Sequence, residues 1–130
     1  MKAKTIKQEV SFRAEAQKVY DALMDSKKHS QFTGSECVIS KKAGGKFTAY
    51  GGYIKGVNLE LVPGKKIVQS WRASDWPEGH YSKAIFILER KGKNTVLSFM
   101  QENVPEQFFD EISEGWKEHY WGKMKEKFGW

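Results

Sequence analysis

Cysteine is nearly absent from this sequence, with Cys37 standing alone. A lone cysteine cannot close an internal disulfide, so the fold is not a disulfide-stapled one and nothing points to an oxidising compartment. Arginine is scarce as well, limited to Arg13, Arg72 and Arg90. The lysines are scattered in runs no longer than two. A nucleic-acid footprint clusters its basic residues on one face, and this spacing argues against one. No apolar run approaches the roughly 18–20 residues of a spanning helix. The opening Met-Lys-Ala-Lys-Thr leads straight into an alternating pattern, with no apolar signal core behind it. A cytoplasmic chain with neither nucleic-acid nor membrane partners is the expectation.

Catalytic and metal signatures are missing too. The five glycines between Gly44 and Gly56 make no phosphate-binding string, and no nucleophile elbow occurs. Cys37 has no base near it in sequence, and strand cysteines are usually inert core residues. His29, His80 and His119 are isolated, and no His/Cys/Asp/Glu spacing resembles a metal site. The expectation is a non-enzymatic protein with no cofactor, no metal and no catalytic residues. An enzyme would need a base facing a cavity, and the Glu, Asp and His candidates come without geometry.

What the chain does have is aromatic mass and positive charge. Its 130 residues fit one domain, residues 1–130. The aromatic share is 14%, with five Trp, which a large aromatic core or a pocket must absorb. The net charge of +6 suits an acidic partner surface, or serves solubility alone.

Thr5 to Phe12 alternates, with Ile6, Gln8, Val10 and Phe12 on one face, the period of a half-buried strand. Ala16, Val19, Tyr20 and Leu23 then fall at helical spacing, behind a poor N-cap at Arg13-Ala14. Asp25 or Ser26 can cap a second short helix that Gly34 stops. Strand patterns follow from Cys37 to Gln101. Turns are marked by Ala43-Gly44-Gly45, Val62-Pro63-Gly64-Lys65 and Gly92-Lys93-Asn94, and a loop by Trp76-Pro77-Glu78-Gly79. Gly51-Gly52 interrupts a long strand or joins two, as a bulge or sharp bend. One of these strands carries Val57, Leu59 and Leu61 on a common face. A long helix closes the chain, with Pro105 in its first turn. Ile112, Trp116, Tyr120, Met124 and Phe128 recur every four residues along it, joined by Phe109, and Gly129 is its stop. Strands segregated from helices predict an α+β fold. Six to seven antiparallel strands curve around the long C-terminal helix, with two short helices after strand 1.

Trp71-Arg72, a three-residue gap and Trp76-Pro77-Glu78-Gly79-His80 resemble the signature loop of the C-terminal domain of the activators of the Hsp90 ATPase (the Aha1 family). Gly44-Gly45-Lys46-Phe47, Leu61 to Val68, Gly115-Trp116, Tyr120 and Phe128-Gly129 are similar to further segments of that family. The resemblance runs from about Thr5 to Trp130 and implies the helix-grip fold of the START-like, Bet v 1-like superfamily. It implies Hsp90 as the partner, a co-chaperone role that modulates the ATPase, and a monomer. Family members also have an N-terminal domain with an Asn- and Trp-rich motif, and these 130 residues contain no such motif.

Two sets of residues follow. Trp71, Arg72, Trp76, Pro77, Glu78 and His80 form the candidate partner-binding loop. Its tryptophans are either an exposed patch, since Trp and Arg dominate hot spots, or fold back over the end of the sheet. Arg72 either pairs with Glu78 or meets an acidic partner. The superfamily resemblance also implies a cavity under the last helix for a small hydrophobic ligand. Phe47, Tyr81, Phe109, Ile112, Trp116 and Tyr120 are its expected lining. Ile112, Trp116 and Tyr120 are equally compatible with plain core, although the Trp N–H and Tyr O–H need partners when buried.

Overall fold

The computed structural model describes residues 2–130. The chain opens with β1 (Ala3–Phe12), α1 (Ala16–Met24) and α2 (Ser26–Thr33). The strands β2 (Val38–Ile39), β3 (Lys46–Ala49), β4 (Ile54–Val62), β5 (Lys66–Ala73), β6 (Ser82–Lys91) and β7 (Asn94–Pro105) follow. They form one seven-stranded antiparallel sheet in the order β1-β7-β6-β5-β4-β3-β2. The sheet curves around the C-terminal helix. First and last strands are neighbours, so the two ends of the chain are tied together before the helix is laid across the sheet.

The α1 start has no side-chain cap, as Arg13-Ala14 predicts, whereas Asp25 caps α2 by accepting the Lys28 N–H at 2.9 Å. Gly34 ends α2 in the left-handed region at φ 74°, where a Cβ would be strained. Strand alternation sets the core: Ala84, Phe86 and Leu88 of β6 face Leu97, Phe99 and Gln101 of β7 under the helix.

β4 departs from the expected pattern. Ile54, Gly56 and Asn58 face inward, so alternation leaves Leu59 outward at 51% exposure, and the register shifts between Asn58 and Glu60. The inward residue is Asn58, fully buried. Its amide donates to the Ser40 and Lys42 carbonyls at 2.7 and 3.2 Å and accepts from Gln69 at 3.0 Å. A polar side chain with every partner supplied can hold a core position that hydropathy would give to leucine.

The last helix also differs from the expected single α-helix. Pro105 ends β7, a short 3₁₀ turn spans Glu106–Phe108, and α3 (Phe109–Gly115) begins only then. A π-helical segment, Trp116–Trp121, separates α3 from α4 (Gly122–Phe128). The four-residue recurrence explains it. At 3.6 residues per turn each four-residue step overshoots by about 40°, so four steps carry Phe128 about 160° from Ile112. The wider π turn absorbs one residue, about 100°, and the remainder fits within an ordinary apolar stripe. Ile112, Trp116, Tyr120 and Met124 are buried together, and Trp121 joins them. Gly129 ends α4 at φ 74°.

Candidate functional site

The Trp71–His80 loop is folded inward. Trp71 and Trp76 are only 3% and 4% exposed, with ring centroids 5.3 Å apart. Trp76 also stacks on Phe108 and meets the edge of His80. The tryptophans therefore close one end of the sheet and form no exposed patch. Arg72 is buried as well and makes no ion pair with Glu78 among the described residues. Its guanidinium instead donates to the Trp76 and Pro77 carbonyls at 3.0 and 3.2 Å, and lies 5.8 Å from the Tyr81 ring centroid. Two carbonyl dipoles and an aromatic face thus stand where a carboxylate would be expected for a buried cation. His80 donates from Nε2 to the Asn103 carbonyl at 2.8 Å, and Asn103 donates to the Tyr81 carbonyl. Of the candidate partner-binding residues, Glu78 is exposed and Pro77 and His80 are half-buried, and Ser74, Asp75 and Gly79 of the same loop are exposed too.

The open space lies on the other side of Trp71. A cleft of about 580 Å³ separates the C-terminal helix from the turn between β3 and β4. Tyr50, Gly51 and Gly52 all take positive φ there, which turns the chain sharply and sets Tyr50 and Tyr53 against the helix. The Gly51 N–H holds the turn by donating to the Glu36 carbonyl at 2.9 Å. Trp71, Trp116 and Tyr120 form the cleft floor, with Trp116 centroids 5.7 Å from Trp71 and 4.5 Å from Tyr120. Glu111, Glu114 and Glu118 line it from the helix. Tyr53 donates to Asp75 at 2.8 Å, and Tyr50 to the His119 carbonyl at 3.3 Å. Burial pushes both phenols up to about 12, helped at Tyr53 by the Asp75 bond, so both stay neutral O–H groups.

Beneath that floor the core is nearly full. The enclosed void between helix and sheet is about 20 Å³, room for roughly one water. Phe47 borders this void together with Trp116 and Tyr120. Phe109 and Tyr81 border neither space: Phe109 lies half-buried under the Lys4 ammonium at 5.2 Å, and Tyr81 is 40% exposed. The large internal cavity expected under the helix is thus replaced by packed aromatic rings, and the volume sits in the side cleft.

Among the described residues, Trp76 Nε1 and Arg72 Nε are buried without a hydrogen-bond partner, whereas the polar tips under the helix are paired. Trp116 Nε1 donates to Gln101 Oε1 at 2.7 Å, Gln101 donates to the Ser82 hydroxyl, and Ser82 donates to the Trp71 carbonyl at 2.8 Å. His29 Nδ1 donates to the Leu23 carbonyl at 3.0 Å, since a carbonyl can only accept. In the neutral ring Nε2 then accepts the Tyr120 hydroxyl at 2.9 Å. Burial lowers the His29 pKa to about 4, against the upward pull of the Leu23 bond, and raises that of Tyr120 well above its usual value. The described residues contain no group of three or more His, Cys, Asp or Glu able to hold a metal ion. No helix among them is long and apolar enough to cross a membrane.

Residues 13–129 match the family described as "Activator of Hsp90 ATPase homolog 1-like protein". The chain belongs to this family. It is 36% identical over 128 residues to a Dictyostelium discoideum activator of 90 kDa heat shock protein ATPase homolog, covering 98% of this chain and 33% of that protein. It is 28% identical over 120 residues to the human activator homolog 1, covering 92% of this chain and 36% of the relative. The chain therefore spans about a third of the length of these curated relatives. Among solved structures, an HSP90 activator from Plasmodium falciparum superposes with a TM-score of 0.91 at 22% identity, covering 96% of each chain.

Within this Hsp90-activator-like fold, several cleft residues escaped the sequence reading. Glu111, Glu114 and Glu118 recur at i, i+3 and i+7, a helical face that charge periodicity could have found. Tyr50 and Tyr53 flank Gly51-Gly52 and carried no signal, because their placement depends on the positive φ angles of the turn. His29 and Trp121 are likewise buried only through tertiary packing.

Proposed function

We propose that this chain is a non-enzymatic, co-chaperone-like binding protein that engages Hsp90 and modulates its ATPase, acting as a cytoplasmic monomer. The observation that carries this reading is membership of the activator family across residues 13–129. The loop supports it as a rigid presenting element: Trp76 and Arg72 hold it from within, while Glu78, Pro77 and His80 remain reachable. The net charge of +6 would steer encounter with an acidic chaperone face more than it sets affinity. Titrating the protein into an Hsp90 ATPase assay at rising ionic strength tests it. A saturable change in turnover whose half-effect concentration climbs with salt is expected. Unchanged turnover with no binding refutes it.

A second reading, a carrier or sensor of a small hydrophobic molecule, is favoured by the cleft. Its volume of about 580 Å³ falls in the ordinary range for ligand sites. Native mass spectrometry of the purified protein would show a co-purified small molecule.

A further inference from the structure

We propose that the cleft beside the C-terminal helix selects small organic cations: an apolar body carrying a protonated amine or quaternary ammonium head. The inference rests on the carrier reading and adds the chemistry of the ligand.

The walls supply the apolar half. Tyr50, Tyr53, Trp71 and Trp116 bring aromatic side chains to a single opening of about 580 Å³. Aromatic faces carry negative quadrupole charge and attract a cation within about 6 Å of the ring. The phenols of Tyr50 and Tyr53 are neutral and already donate to Asp75 and the His119 carbonyl, so their ring faces are what they offer a ligand.

The charge distribution supplies the polar half. The chain carries a net +6, yet the cleft is lined by three carboxylates and by no Lys or Arg. Glu114 faces Lys117 at 3.7 Å. Glu111 and Glu118 form no ion pair among the described residues. A ligand seated in the cleft above Trp71 and Trp116 therefore meets negative potential at the mouth, and an anionic ligand meets repulsion. A neutral hydrophobe would gain the wall contacts but nothing from the rim.

The test uses three probes on one benzyl scaffold: benzyltrimethylammonium, its neutral isostere neopentylbenzene, and the smaller anion phenylacetate. Binding is read by calorimetry and placed by NMR shifts at the Trp71 and Trp116 indoles and the Tyr53 amide. The cation is expected to bind tighter than the neutral isostere by roughly threefold to thirtyfold, the span of a cation–π contribution. Phenylacetate is expected to bind weakest. Glu111→Gln with Glu118→Gln, both exposed, should weaken cation binding measurably, leave the cation–π share from the walls, and leave the neutral probe unchanged. Equal or tighter binding of neopentylbenzene, or cation affinity indifferent to the double substitution, overturns the cation inference while the carrier reading survives. Absence of saturable binding by all three probes overturns both.

Discussion

His29 shows how one side chain can carry a pH response for the whole fold. It sits between the Leu23 carbonyl and the Tyr120 hydroxyl, stacked on Phe32 at 4.9 Å, and among the described residues no charged side chain hydrogen-bonds or bridges to it. The folded ring takes a proton only near pH 4, while the unfolded ring takes one near its ordinary 6.5. The unfolded state therefore binds more protons between those values, and folding stability is complete above about 6.5 and lost as pH falls toward 4. At about 1.4 kcal/mol per unit the loss reaches roughly 3 kcal/mol. Urea unfolding between pH 7.5 and 4.5 should show this decline, and His29→Gln should flatten it at a lower plateau. Asp25, held below the usual carboxylate range chiefly by the Lys28 N–H, contributes its own loss at more acid pH and does not obscure the window. A wild-type stability that is level from pH 7 to 4.5 contradicts this account. In sequence His29 is an isolated histidine among polar neighbours. Its burial comes from Tyr120, ninety-one positions away, so no local pattern could have marked it.

At the level of elements, strand alternation and turn residues made most of the sheet legible, because period-2 burial and left-handed glycines are local properties. The β4 face was misread because its inward residue is polar and acquires partners only from Ser40, Lys42 and Gln69. The signature loop's ambiguity was also tertiary: Trp76 is buried by Phe108 and Trp71, which lie far from it along the chain or on another element. The π segment is different, since its cause was visible in the four-residue recurrence of Ile112, Trp116, Tyr120, Met124 and Phe128. If the π turn is one absorbed residue, its removal should restore an α-helix with α3 and α4 still in register. Deleting the exposed Glu118 should therefore be mild, about 1–2 kcal/mol on the scale of ordinary substitutions. Inserting one alanine after Glu118 should turn α4 a further 100° or so and swing Met124 out of the core, costing at least the 2–5 kcal/mol of losing a buried methionine. Chemical denaturation of the two variants decides it, and a deletion as damaging as the insertion rules out the absorbed-residue account.

The molecule as a whole is closed by contacts between its two ends. Gln8 of β1 donates to the Ser113 carbonyl and hydroxyl at 2.9 and 3.2 Å, and accepts Trp121 Nε1 at 2.7 Å across 113 positions of sequence. The Arg13 N–H donates to the Trp130 carbonyl at 3.1 Å, and Trp130 packs edge-on against Phe12. Such contacts close the largest loops in the chain, and their closure entropy must be met before they contribute. A sheet this dependent on distant pairing is expected to fold in milliseconds to seconds. The clasp should form after the β5-β6-β7 meander, whose hairpins are local. Gln8→Leu keeps the side-chain volume close but leaves the Trp121 N–H without its acceptor, a loss of about 1–3 kcal/mol. If the clasp forms late, that loss appears in unfolding, which should quicken roughly fivefold or more while folding hardly changes. Stopped-flow tryptophan fluorescence measures both limbs. Slowed folding with unfolding unaltered would place the clasp in the folding nucleus and make the joining of the chain ends the organising event of this fold.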